Sequence, residues 1–458
     1  MTFSEYIEKL RGKRIAVIGI GVSNTPLIRK LLVSGCRVTA CDKSEEVYLG
    51  KTVAELRELG AELRLGPGYL DRLDADVIFR TPGLRPDVPP LLRAQANGSV
   101  LTSEMEVFFR VCPCPMIGVT GSDGKTTTTT ILSELLKSAG KTVHVGGNIG
   151  APLLCDADAM SPGDVCVLEL SSFQLMTMKD SPQIAVITNL APNHLDIHRD
   201  MEEYIDAKKN IFRYQTPSDR FVTNLDNDIT RPFAKEAKGQ VLLFSRKKSV
   251  DNGVFLNDSM IYSAHNGHVR AIMDSRYIFL PGDHNIENYM AAFAATQGLV
   301  PPEIQSKVAE TFQGVEHRIE FVRKLAGVSY YNDSIASSPS RTIAGLKSFP
   351  QKVILIAGGK DKGVPFDGLG VEINKHVKGL VLTGYTAGKL YDAVTGAPNY
   401  DPSLPIQTVD DFRDAVLAAA AMAKSGDVVI LSPACTSFDR FRNFMERGNR
   451  FKEIVNGL

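Results

Sequence analysis

The 458-residue chain has no tryptophan, no formal net charge and no long apolar segment. Basic and acidic residues are balanced at 52 each, so no overall positive field favours nucleic acid or an anionic membrane. No apolar run approaches the roughly 20 residues that a membrane-spanning helix needs. The first residues, Met-Thr-Phe-Ser-Glu-Tyr, lack the basic and then apolar pattern of a signal peptide. We therefore expect neither a secreted protein nor one that spans a membrane.

A disulfide framework is not indicated either. The cysteines are scattered and odd in number, which is typical of reduced thiols in a cytosolic enzyme. They are Cys36, Cys41, Cys112, Cys114, Cys155, Cys166 and Cys435. One proline separates Cys112 from Cys114, which is too short a spacing for the usual zinc knuckle.

Short β-branched runs alternate with glycine-rich turns and helical stretches, which is typical of parallel sheets covered by helices. At roughly 150 residues per domain, the length suggests three domains. New strand–loop–helix units begin near 101–103 and near Gly314. We therefore predict an α/β protein with domains 1–102, 103–313 and 314–458. The predicted strands include Arg14–Ile18, Asp76–Phe79, Met116–Thr120, Val165–Leu168, Ile184–Thr188, Val353–Ala357, Leu380–Thr383 and Val428–Leu431, and the predicted helices are Lys125–Ala139, Met201–Tyr214, Ile286–Gln297 and Phe438–Ile454.

The strongest motif is Thr120–Thr126, which reads Thr-Gly-Ser-Asp-Gly-Lys-Thr between an apolar strand and a helix. Glycines let backbone N–H groups turn around phosphate oxygens, and a helix N-terminus favours negative charge. Lys125 can reach the outer phosphates, and the Thr126 hydroxyl can bind Mg²⁺. The strict Gly-x₄-Gly-Lys pattern is not met, but the shorter Gly-x-x-Gly-Lys-Thr is. We predict a phosphate-binding P-loop rather than a chance glycine-rich turn.

Two further segments follow strands that we expect to end at the same sheet edge. Glu169 comes directly after one of them, where it is either a Mg²⁺ ligand or a charge facing water. Asn-His-Leu-Asp at 193–196 comes after the next. His194, Asp196 and His198 could in principle form a zinc trio, but no other feature of the sequence favours zinc.

The segment Val17–Asn24 begins like a dinucleotide-binding turn, with two glycines after a strand. Asn24 replaces the third glycine, which makes a dehydrogenase a weak alternative. Asp42 follows the next strand, at the position of a ribose-binding acid. The same geometry can hold a diphosphate against backbone N–H groups.

Taken in order, these motifs resemble those of the Mur ligases, the ATP-dependent amino-acid ligases of peptidoglycan synthesis. The resemblance covers essentially the whole chain. Besides the P-loop it rests on 169–174 (Glu-Leu-Ser-Ser-Phe-Gln), 193–196, 207–208 (Ala-Lys), 282–285 (Gly-Asp-His-Asn), 317–318 (His-Arg) and 332–334 (Asn-Asp-Ser). Within the family, 146–150 (Gly-Gly-Asn-Ile-Gly) and 432–439 (Ser-Pro-Ala-Cys-Thr-Ser-Phe-Asp) are most similar to the D-glutamate-adding branch.

The resemblance implies a Rossmann-like UDP-binding domain, a central P-loop domain with a parallel sheet, and a C-terminal Rossmann-like domain. It implies a monomeric cytoplasmic enzyme that joins D-glutamate to UDP-N-acetylmuramoyl-L-alanine through an acyl phosphate, with ATP as co-substrate. Two Mg²⁺ ions are expected near the phosphates. Lys208 would carry a carbamate that binds metal, whereas an ordinary helix lysine would be solvated. Asp123 and Ile335 depart from the Asn and Lys common in the family, and Arg341 is a candidate for the missing cation.

The resemblance also implies roles for individual residues. The catalytic set is Lys125, His194, Lys208 and Arg318. ATP would contact Gly121, Ser122, Asp123, Gly124, Lys125, Thr126, Thr127, Asn285, Asn288, Arg318 and Asp333. The UDP substrate would contact Gly21, Val22, Ser23, Asp42, Thr81, Gly83, Asn148, Ser171 and Gln174. D-Glutamate would contact Ser337, Lys362, Ser437 and Phe444, with Ser437 at the N-terminus of a helix. Metal ligands would be Thr126, Glu169, His194 and the carbamate of Lys208.

Two alternatives remain open at this stage. One is a related ligase with another amino acid, such as a folylpolyglutamate-type enzyme, which the uridine-binding N-terminal domain disfavours. The other is a regulatory or transport protein that uses the P-loop as a switch. A switch protein would bind or hydrolyse ATP without an amino-acid acceptor, so the dependence of phosphate release on the acceptor separates the two classes.

Overall fold

Three sheets rich in parallel strands organise the chain in a computed structural model that describes residues 1–192, 197–361 and 363–458. One compact unit comprises Met1–Tyr277 and His284–Glu310, and the other comprises Ile278–Asp283 and Thr311–Leu458. The expected α/β class is confirmed. The domain boundaries after 102 and 313 remain predictions. No helix of the described residues is long and apolar enough to cross a bilayer.

The first sheet is fully parallel and has β1 at its centre. Its strands are β1 (Arg14–Ile18), β2 (Arg37–Asp42), β3 (Glu62–Leu65), β4 (Val77–Phe79) and β5 (Val100–Thr102), in the order β3-β2-β1-β4-β5. The accompanying helices are α1 (Phe3–Leu10), α2 (Asn24–Val33), α3 (Glu46–Leu49), α4 (Lys51–Glu58), α5 (Pro89–Ala96) and α6 (Glu104–Val111). The strand order reverses between β1 and β4, which opens a crevice at their carboxyl ends.

The second sheet has nine strands, with the P-loop strand β6 in its parallel part. Its strands are β6 (Met116–Thr120), β7 (Val143–Gly147), β8 (Val165–Glu169), β9 (Ile184–Ile187), β10 (Arg220–Asn224), β11 (Gln240–Ser245), β12 (Gly253–Asn257), β13 (Met260–His265) and β14 (His268–Asp274), in the order β14-β13-β12-β11-β10-β9-β6-β8-β7. The helices of this region are α7 (Lys125–Ser138), α8 (Ser172–Leu175), α9 (Met201–Arg213), α10 (Asp283–Ala295) and α11 (Pro302–Thr311).

A buried strand and a buried helix determine where the P-loop lies. All five residues of β6 are buried, as expected for a strand covered by helices on both faces. Seven consecutive residues of α10, from Tyr289 to Ala295, are also buried. A helix that is apolar on every side lies inside a protein rather than on its surface. Helix α10 therefore brings Asn285 and Asn288 to the interior, with Asn288 next to Gly124 of the P-loop, while Asp283 and His284 at its start stay exposed.

The third sheet belongs to the second compact unit and is parallel except for the edge pair β15–β16. Its strands are β15 (Glu320–Leu325), β16 (Val328–Asn332), β17 (Val353–Ala357), β18 (Val377–Leu382), β19 (Ile406–Thr408) and β20 (Val428–Leu431), in the order β15-β16-β20-β17-β18-β19. Its helices are α12 (Pro339–Lys347), α13 (Asp367–His376), α14 (Ala387–Thr395), α15 (Phe412–Met422) and α16 (Phe444–Asn456).

The prediction of a helix over Phe438–Ile454 is wrong at its start. Helix α16 begins at Phe444, and the side chain of Asn443 caps it by accepting the backbone N–H of Glu446. Phe438 is 62% exposed whereas Phe441 packs edge-on against Phe412, so the two aromatic residues before Asn443 do not share one buried helix face. The backbone N–H groups of Arg440 and Phe441 instead donate to the carbonyl of Ser437, which closes a turn.

Candidate active site

The P-loop has the predicted geometry, because β6 leads through two glycines directly into α7. Gly121 has a φ of 153° and Gly124 a φ of 77°, both in the region that favours glycine. A Cβ atom at Gly121 would lie 2.0 Å from Thr188 Oγ1, and one at Gly124 would lie 2.2 Å from Asn288 Oδ1. The loop is therefore pressed against its neighbours and admits no side chain at either position.

Lys125 lies over the loop that precedes it. Its ammonium group donates to the carbonyls of Gly121 at 2.9 Å and Ser122 at 2.8 Å. The Ser122 hydroxyl is 2.9 Å from the Tyr204 hydroxyl of α9, and the backbone N–H of Asp123 donates to Asn189 Oδ1 at 3.0 Å. Contacts from α9 and from the residues after β9 thus hold the P-loop in place before any nucleotide is bound.

The hydroxyl of Thr126 and the carboxylate of Glu169 form the candidate metal site. Thr126 Oγ1 donates to Glu169 Oε2 at 2.6 Å. The other carboxylate oxygen accepts from Asn148 Nδ2 at 2.8 Å. Glu169 is only 2% exposed, so the alternative of a strand-end charge facing water is wrong. A hydroxyl and a buried carboxylate side by side are oxygen ligands of the kind that Mg²⁺ prefers, and they fit a metal at the predicted position.

Lys208 is buried on α9, at 2% exposure. Its Nζ donates to Thr120 Oγ1 at 2.9 Å and lies 5.0 Å from the ring centre of Tyr204. Burial, together with the positive charge of Lys125, holds the pKa of the Lys208 amine well below its usual value, while Glu169 opposes that shift. The interactions with Lys125 and Glu169 place Lys208 in the same electrostatic environment as the candidate metal site.

The neighbouring Lys209 provides an internal comparison. Its ammonium group pairs with Glu236 at 2.8 Å, and its side chain is 22% exposed. An ordinary helix lysine would be a solvated charge. Lys208 is not solvated, whereas Lys209 is partly exposed and paired with a carboxylate. The structure distinguishes two adjacent lysines that look equivalent in the sequence.

Asn288 connects α10 to α7, the helix that follows the P-loop, and its contact with ATP remains a prediction. Its Oδ1 accepts from Thr128 Oγ1 at 3.3 Å, and its Nδ2 donates to Asn285 Oδ1 at 3.2 Å. The hydroxyl of Thr120, which sequence reasoning missed, joins the same region by donating to the Leu170 carbonyl while accepting from Lys208. As the last residue of the P-loop strand, Thr120 could have been recognised from its position alone.

The segment 193–196 lies outside the described residues, so neither the metal role of His194 nor the zinc trio with Asp196 can be placed. His198 is 2% exposed, its Nε2 is 2.9 Å from Ser172 Oγ, and its ring stacks on Phe173. Directly after the segment, the carbonyl of Ile197 accepts a hydrogen bond from Arg85 Nη1 at 2.8 Å. Arg85 also pairs with Asp87 at 2.8 Å and with Glu203 of α9 at 2.7 Å, so it holds the residue after the segment against α9.

The predicted UDP site lies at the switch point of the first sheet. Gly19 follows β1 with a φ of 95°, and a Cβ atom there would lie 2.9 Å from Thr81 Cβ, so the loops after β1 and β4 touch. Val22 is 80% exposed at the start of α2. Asp42 is the last residue of β2 rather than a residue after it, and its carboxylate accepts the backbone N–H groups of Ile20 and Ser44 at 2.7 and 2.8 Å.

Arg80 organises the turn after β4, and no sequence pattern singled it out. It is 1% exposed and donates to the carbonyls of Thr81, Pro82 and Leu84. It also donates to the carbonyl of Phe173 in α8 at 3.2 Å. A buried arginine with several carbonyl acceptors fixes the backbone around it, so Arg80 positions the turn that carries Thr81 and Gly83.

Other residues predicted to bind the UDP substrate have partners within the chain. Ser171 and Gln174 form the capping box of α8, with Gln174 N–H donating to Ser171 Oγ at 3.2 Å. Asn148 is hydrogen-bonded to Glu169, as described above. The predicted contact of Asn148 with the muramoyl-alanine part remains a prediction. The structure adds its hydrogen bond to Glu169, the candidate metal ligand.

The second compact unit has its own polar centre at the end of β16. Asp333 is 4% exposed, and its carboxylate accepts from Ser432 Oγ at 2.7 Å and from the backbone N–H of Ile319 at 3.3 Å. Burial raises the pKa of Asp333 to about 7. His317, with a φ of 64°, places its Nδ1 2.9 Å from Asn332 Nδ2. Burial lowers the pKa of His317.

The positive charges of Arg318 and Arg341 each lower the pKa of Asp333 and so oppose the effect of burial. Arg341 Nη1 also donates to the carbonyl of Ile335 at 3.3 Å. The proposed replacement cation therefore lies beside the residue that departs from the family pattern. Whether it takes over the role of the missing lysine remains a prediction.

The residues predicted to bind D-glutamate are partly described. Ser437 is 2% exposed and lies in the turn before α16, so its expected place at a helix N-terminus is wrong. Phe444, the first residue of α16, packs edge-on against His317 with ring centres 5.9 Å apart. Ser337 donates its backbone N–H to the Ile335 carbonyl at 2.7 Å. Lys362 lies outside the described residues.

Comparison with known proteins places the chain in a family. The chain matches the family of the Mur ligase middle domain over residues 119–296 and that of the Mur ligase glutamate ligase domain over residues 317–435. It is 52% identical to the UDP-N-acetylmuramoylalanine--D-glutamate ligase of Acetivibrio thermocellus, covering 99% of this chain and 98% of that protein. It is 51% identical to the ligase of the same name from Clostridium novyi, covering 100% and 99%.

Solved structures agree on the fold. The UDP-N-acetylmuramate-alanine ligase of Thermotoga maritima superposes with a TM-score of 0.58 at 19% identity, covering 97% of this chain and 99% of that one. Because its identity is low, this match supports the fold alone. The matches at about half identity over nearly the whole chain show family membership as well as fold. They agree with the motifs and with the P-loop geometry. The chain belongs to the Mur ligase family.

Proposed function

We propose that this chain is the ligase that joins D-glutamate to UDP-N-acetylmuramoyl-L-alanine, consuming ATP and forming ADP and phosphate. The proposal rests on the family and on the names of the relatives at about half identity. In the structure it is supported most by one arrangement, the P-loop with Thr126 hydrogen-bonded to buried Glu169 and with buried Lys208 hydrogen-bonded to Thr120 at the end of the P-loop strand. Such a reaction serves peptidoglycan synthesis.

The chemistry explains why this arrangement suits a ligase. Joining a carboxylate to an amine in water requires activation of the carboxylate, here by transfer of the γ-phosphoryl group to one of its oxygens. The amine then attacks the acyl carbon and phosphate leaves. Two anions must meet in the first step, so preorganised positive charge and hydrogen-bond donors matter more than a covalent nucleophile. Lys125 and the backbone N–H groups of the P-loop supply both.

Mg²⁺ fits the pair formed by Thr126 and Glu169, since both are oxygen ligands and Asn148 orients the carboxylate. A divalent ion held there would neutralise charge on the nucleotide's phosphates and help to align the substrate acid. We propose a second ion held by His194 and a carbamate on Lys208. Burial holds the pKa of the Lys208 amine well below its usual value, which favours the neutral form that adds CO₂; this addition forms an N–C bond and releases one proton.

The substrate ends are assigned to the two other sheets. The turn after β1, with Gly21, Val22 and Ser23, offers backbone N–H groups to a diphosphate next to Thr81, and this crevice suits the UDP part. In the second compact unit, Phe444 and His317 line one candidate pocket wall for D-glutamate. Asp333 is a candidate partner for the ribose hydroxyls of ATP. Monomeric state and cytoplasmic location remain proposals.

A substrate-omission assay tests the function. Purified protein is incubated with the UDP-sugar peptide, D-glutamate, ATP and Mg²⁺, and phosphate release is measured with each component left out in turn. We expect release only in the complete mixture, and a product that carries one added glutamate by mass. L-Glutamate and D-alanine serve as matched controls for stereochemistry and for the side-chain carboxylate.

Two outcomes would contradict the proposal. Phosphate release that does not depend on D-glutamate would favour the class of P-loop switch proteins. Equal turnover of L-glutamate would refute the assignment of the D-amino acid while leaving the ligase class in place. A different preferred amino acid with full coupling would identify another branch of the family.

A further inference from the structure

Three cysteines gather at the edge of the second sheet opposite to the P-loop. Cys112 is the C-cap residue of α6, Cys114 lies just before β6, and Cys166 is the second residue of β8. Their Sγ atoms are 3.5 Å apart for Cys112 and Cys114, 3.6 Å for Cys112 and Cys166, and 3.2 Å for Cys114 and Cys166. We call these three residues the cysteine cluster. Among the residues that the structure describes, it is the one group of three or more candidate ligands with all ligand atoms within 4.8 Å.

Sheet register explains how distant residues meet here. Met116 at the start of β6 pairs with Cys166 of β8, and the backbone N–H of Cys166 donates to the carbonyl of Pro115, the residue after Cys114. The single proline between Cys112 and Cys114 turns the chain so that both sulfurs point to the same place. The short spacing that disfavours a zinc knuckle in the sequence therefore does not prevent the two thiols from acting together with a third.

The sulfur geometry is close to that of a metal site. In a tetrahedral zinc site with Zn–S bonds of about 2.3 Å, the sulfurs are about 3.8 Å apart. The observed separations of 3.2–3.6 Å need only a small outward movement of the side chains. Soft sulfur ligands select Zn²⁺ over the oxygen-seeking Mg²⁺ and Ca²⁺. Cys112 is partly exposed, which provides a route of entry for an ion.

His144 is the candidate fourth ligand, but neither of its ring nitrogens lies within 4.8 Å of all three sulfurs, so binding requires its side chain to move. It is the register partner of Cys166 on the adjacent strand β7, so the two side chains lie on the same face of the sheet. His144 Nε2 is 2.9 Å from Asp164 Oδ2. A carboxylate on one ring nitrogen of a histidine is the usual support for a metal bound at the other.

We propose that the cysteine cluster binds one Zn²⁺ ion, with His144 as the fourth ligand and Asp164 as its support. The ion would join the end of α6 to β6 and β8. Because the cluster lies at the amino ends of these parallel strands, whereas Glu169 and the P-loop lie at the carboxyl ends, the site is structural. It is separate from the proposed Mg²⁺ sites in both position and ligand chemistry.

Metal titration of the full chain tests the proposal. The reduced, chelator-treated protein is titrated with Co²⁺ alone, followed by displacement with Zn²⁺. We expect one equivalent of Co²⁺ with thiolate charge-transfer bands and a tetrahedral visible spectrum, both abolished by Zn²⁺. We expect Cys112→Ser to lose at least about 100-fold in affinity, and Asp164→Asn about 10- to 100-fold. Cys155→Ser, another partly exposed cysteine, is the matched control and should bind as the parent does.

Several results would overturn the proposal. They are the absence of thiolate bands, equal affinity in Cys112→Ser and the parent, and a disulfide between Cys114 and Cys166 in protein purified under reducing conditions. Unchanged affinity in His144→Ala would refute the four-ligand assignment. Circular dichroism of each variant shows whether it is folded. A bound structural ion predicts that Zn²⁺ raises the unfolding temperature of the parent and of Cys155→Ser but not of Cys112→Ser.

Discussion

Substitution of Lys208 separates its proposed role in catalysis from a role in packing. Among the described residues its amine donates to Thr120 Oγ1, at a buried position. Lys208→Met keeps most of the side-chain volume and removes that bond, worth about 1 kcal/mol, while also removing a polar group that is costly to bury. We therefore expect the free energy of unfolding to change by no more than about 2 kcal/mol.

The expected loss of activity is much larger. If the carbamate contributes as much as one preorganised electrostatic group, its removal costs about 3–4 kcal/mol in the transition state, or about 10²- to 10³-fold in kcat. Lys209→Met is the matched control on the same helix. Lys209 forms an ion pair with Glu236, and such pairs contribute little, so its loss should leave kcat unchanged.

Rescue experiments complete the test. Lys208→Ala leaves space next to Thr120, and a small carboxylate such as acetate can enter that space and replace the carbamate oxygens. We expect added acetate to restore part of the activity of Lys208→Ala and none of that of Lys208→Met, whose side chain fills the space. The parent should lose activity in CO₂-depleted buffer and regain it with bicarbonate. Full activity in Lys208→Met, or no rescue together with no CO₂ dependence, would refute the reasoning.

Three further predictions concern other parts of the chain. Glu169→Gln removes the candidate ligand charge, so the Mg²⁺ concentration for half-maximal activity should rise at least about tenfold in a Mg²⁺ titration. Gly124→Ala forces a Cβ to 2.2 Å from Asn288 Oδ1 at a φ of 77°, so both the unfolding temperature and nucleotide affinity should fall in thermal-shift and binding assays. Burial raises the pKa of Asp333 from 3.8 to about 7, so between these two pH values the folded state holds a proton on this carboxyl that the unfolded state has lost. Stability should therefore fall as pH rises from about 4 to 7, and Asp333→Asn should flatten that dependence in denaturant unfolding at several pH values.

The sequence predicted the local elements of the central site well, for physical reasons. The P-loop strand was predicted as Met116–Thr120 and α7 as starting at Lys125, and both match the structure. An apolar run, two glycines and a helix former in succession leave the backbone few alternatives. Hydrogen bonds across the site, such as that from Asn148 to Glu169, depend on how the strands pair. The local sequence does not encode that pairing.

Two failures have identifiable causes. The start of α16 was placed at Phe438 because aromatic residues three positions apart imitate a helix stripe. The capping pattern of Asn443 followed by Glu446 three residues later marks the true start and was available in the sequence. The cysteine cluster was missed because Cys166 is 52 residues from Cys114. Only the pairing of β6 with β8 brings the two together.

An isotope-transfer measurement tests the central claim, the activation of the substrate acid by the nucleotide's terminal phosphoryl group. The UDP-sugar peptide is prepared with ¹⁸O in the carboxylate of its alanine residue and turned over with D-glutamate, ATP and Mg²⁺. If that carboxylate attacks the γ-phosphorus, one of its oxygens must leave with the phosphate. The account predicts one ¹⁸O atom in each phosphate released, and phosphate free of ¹⁸O would contradict it.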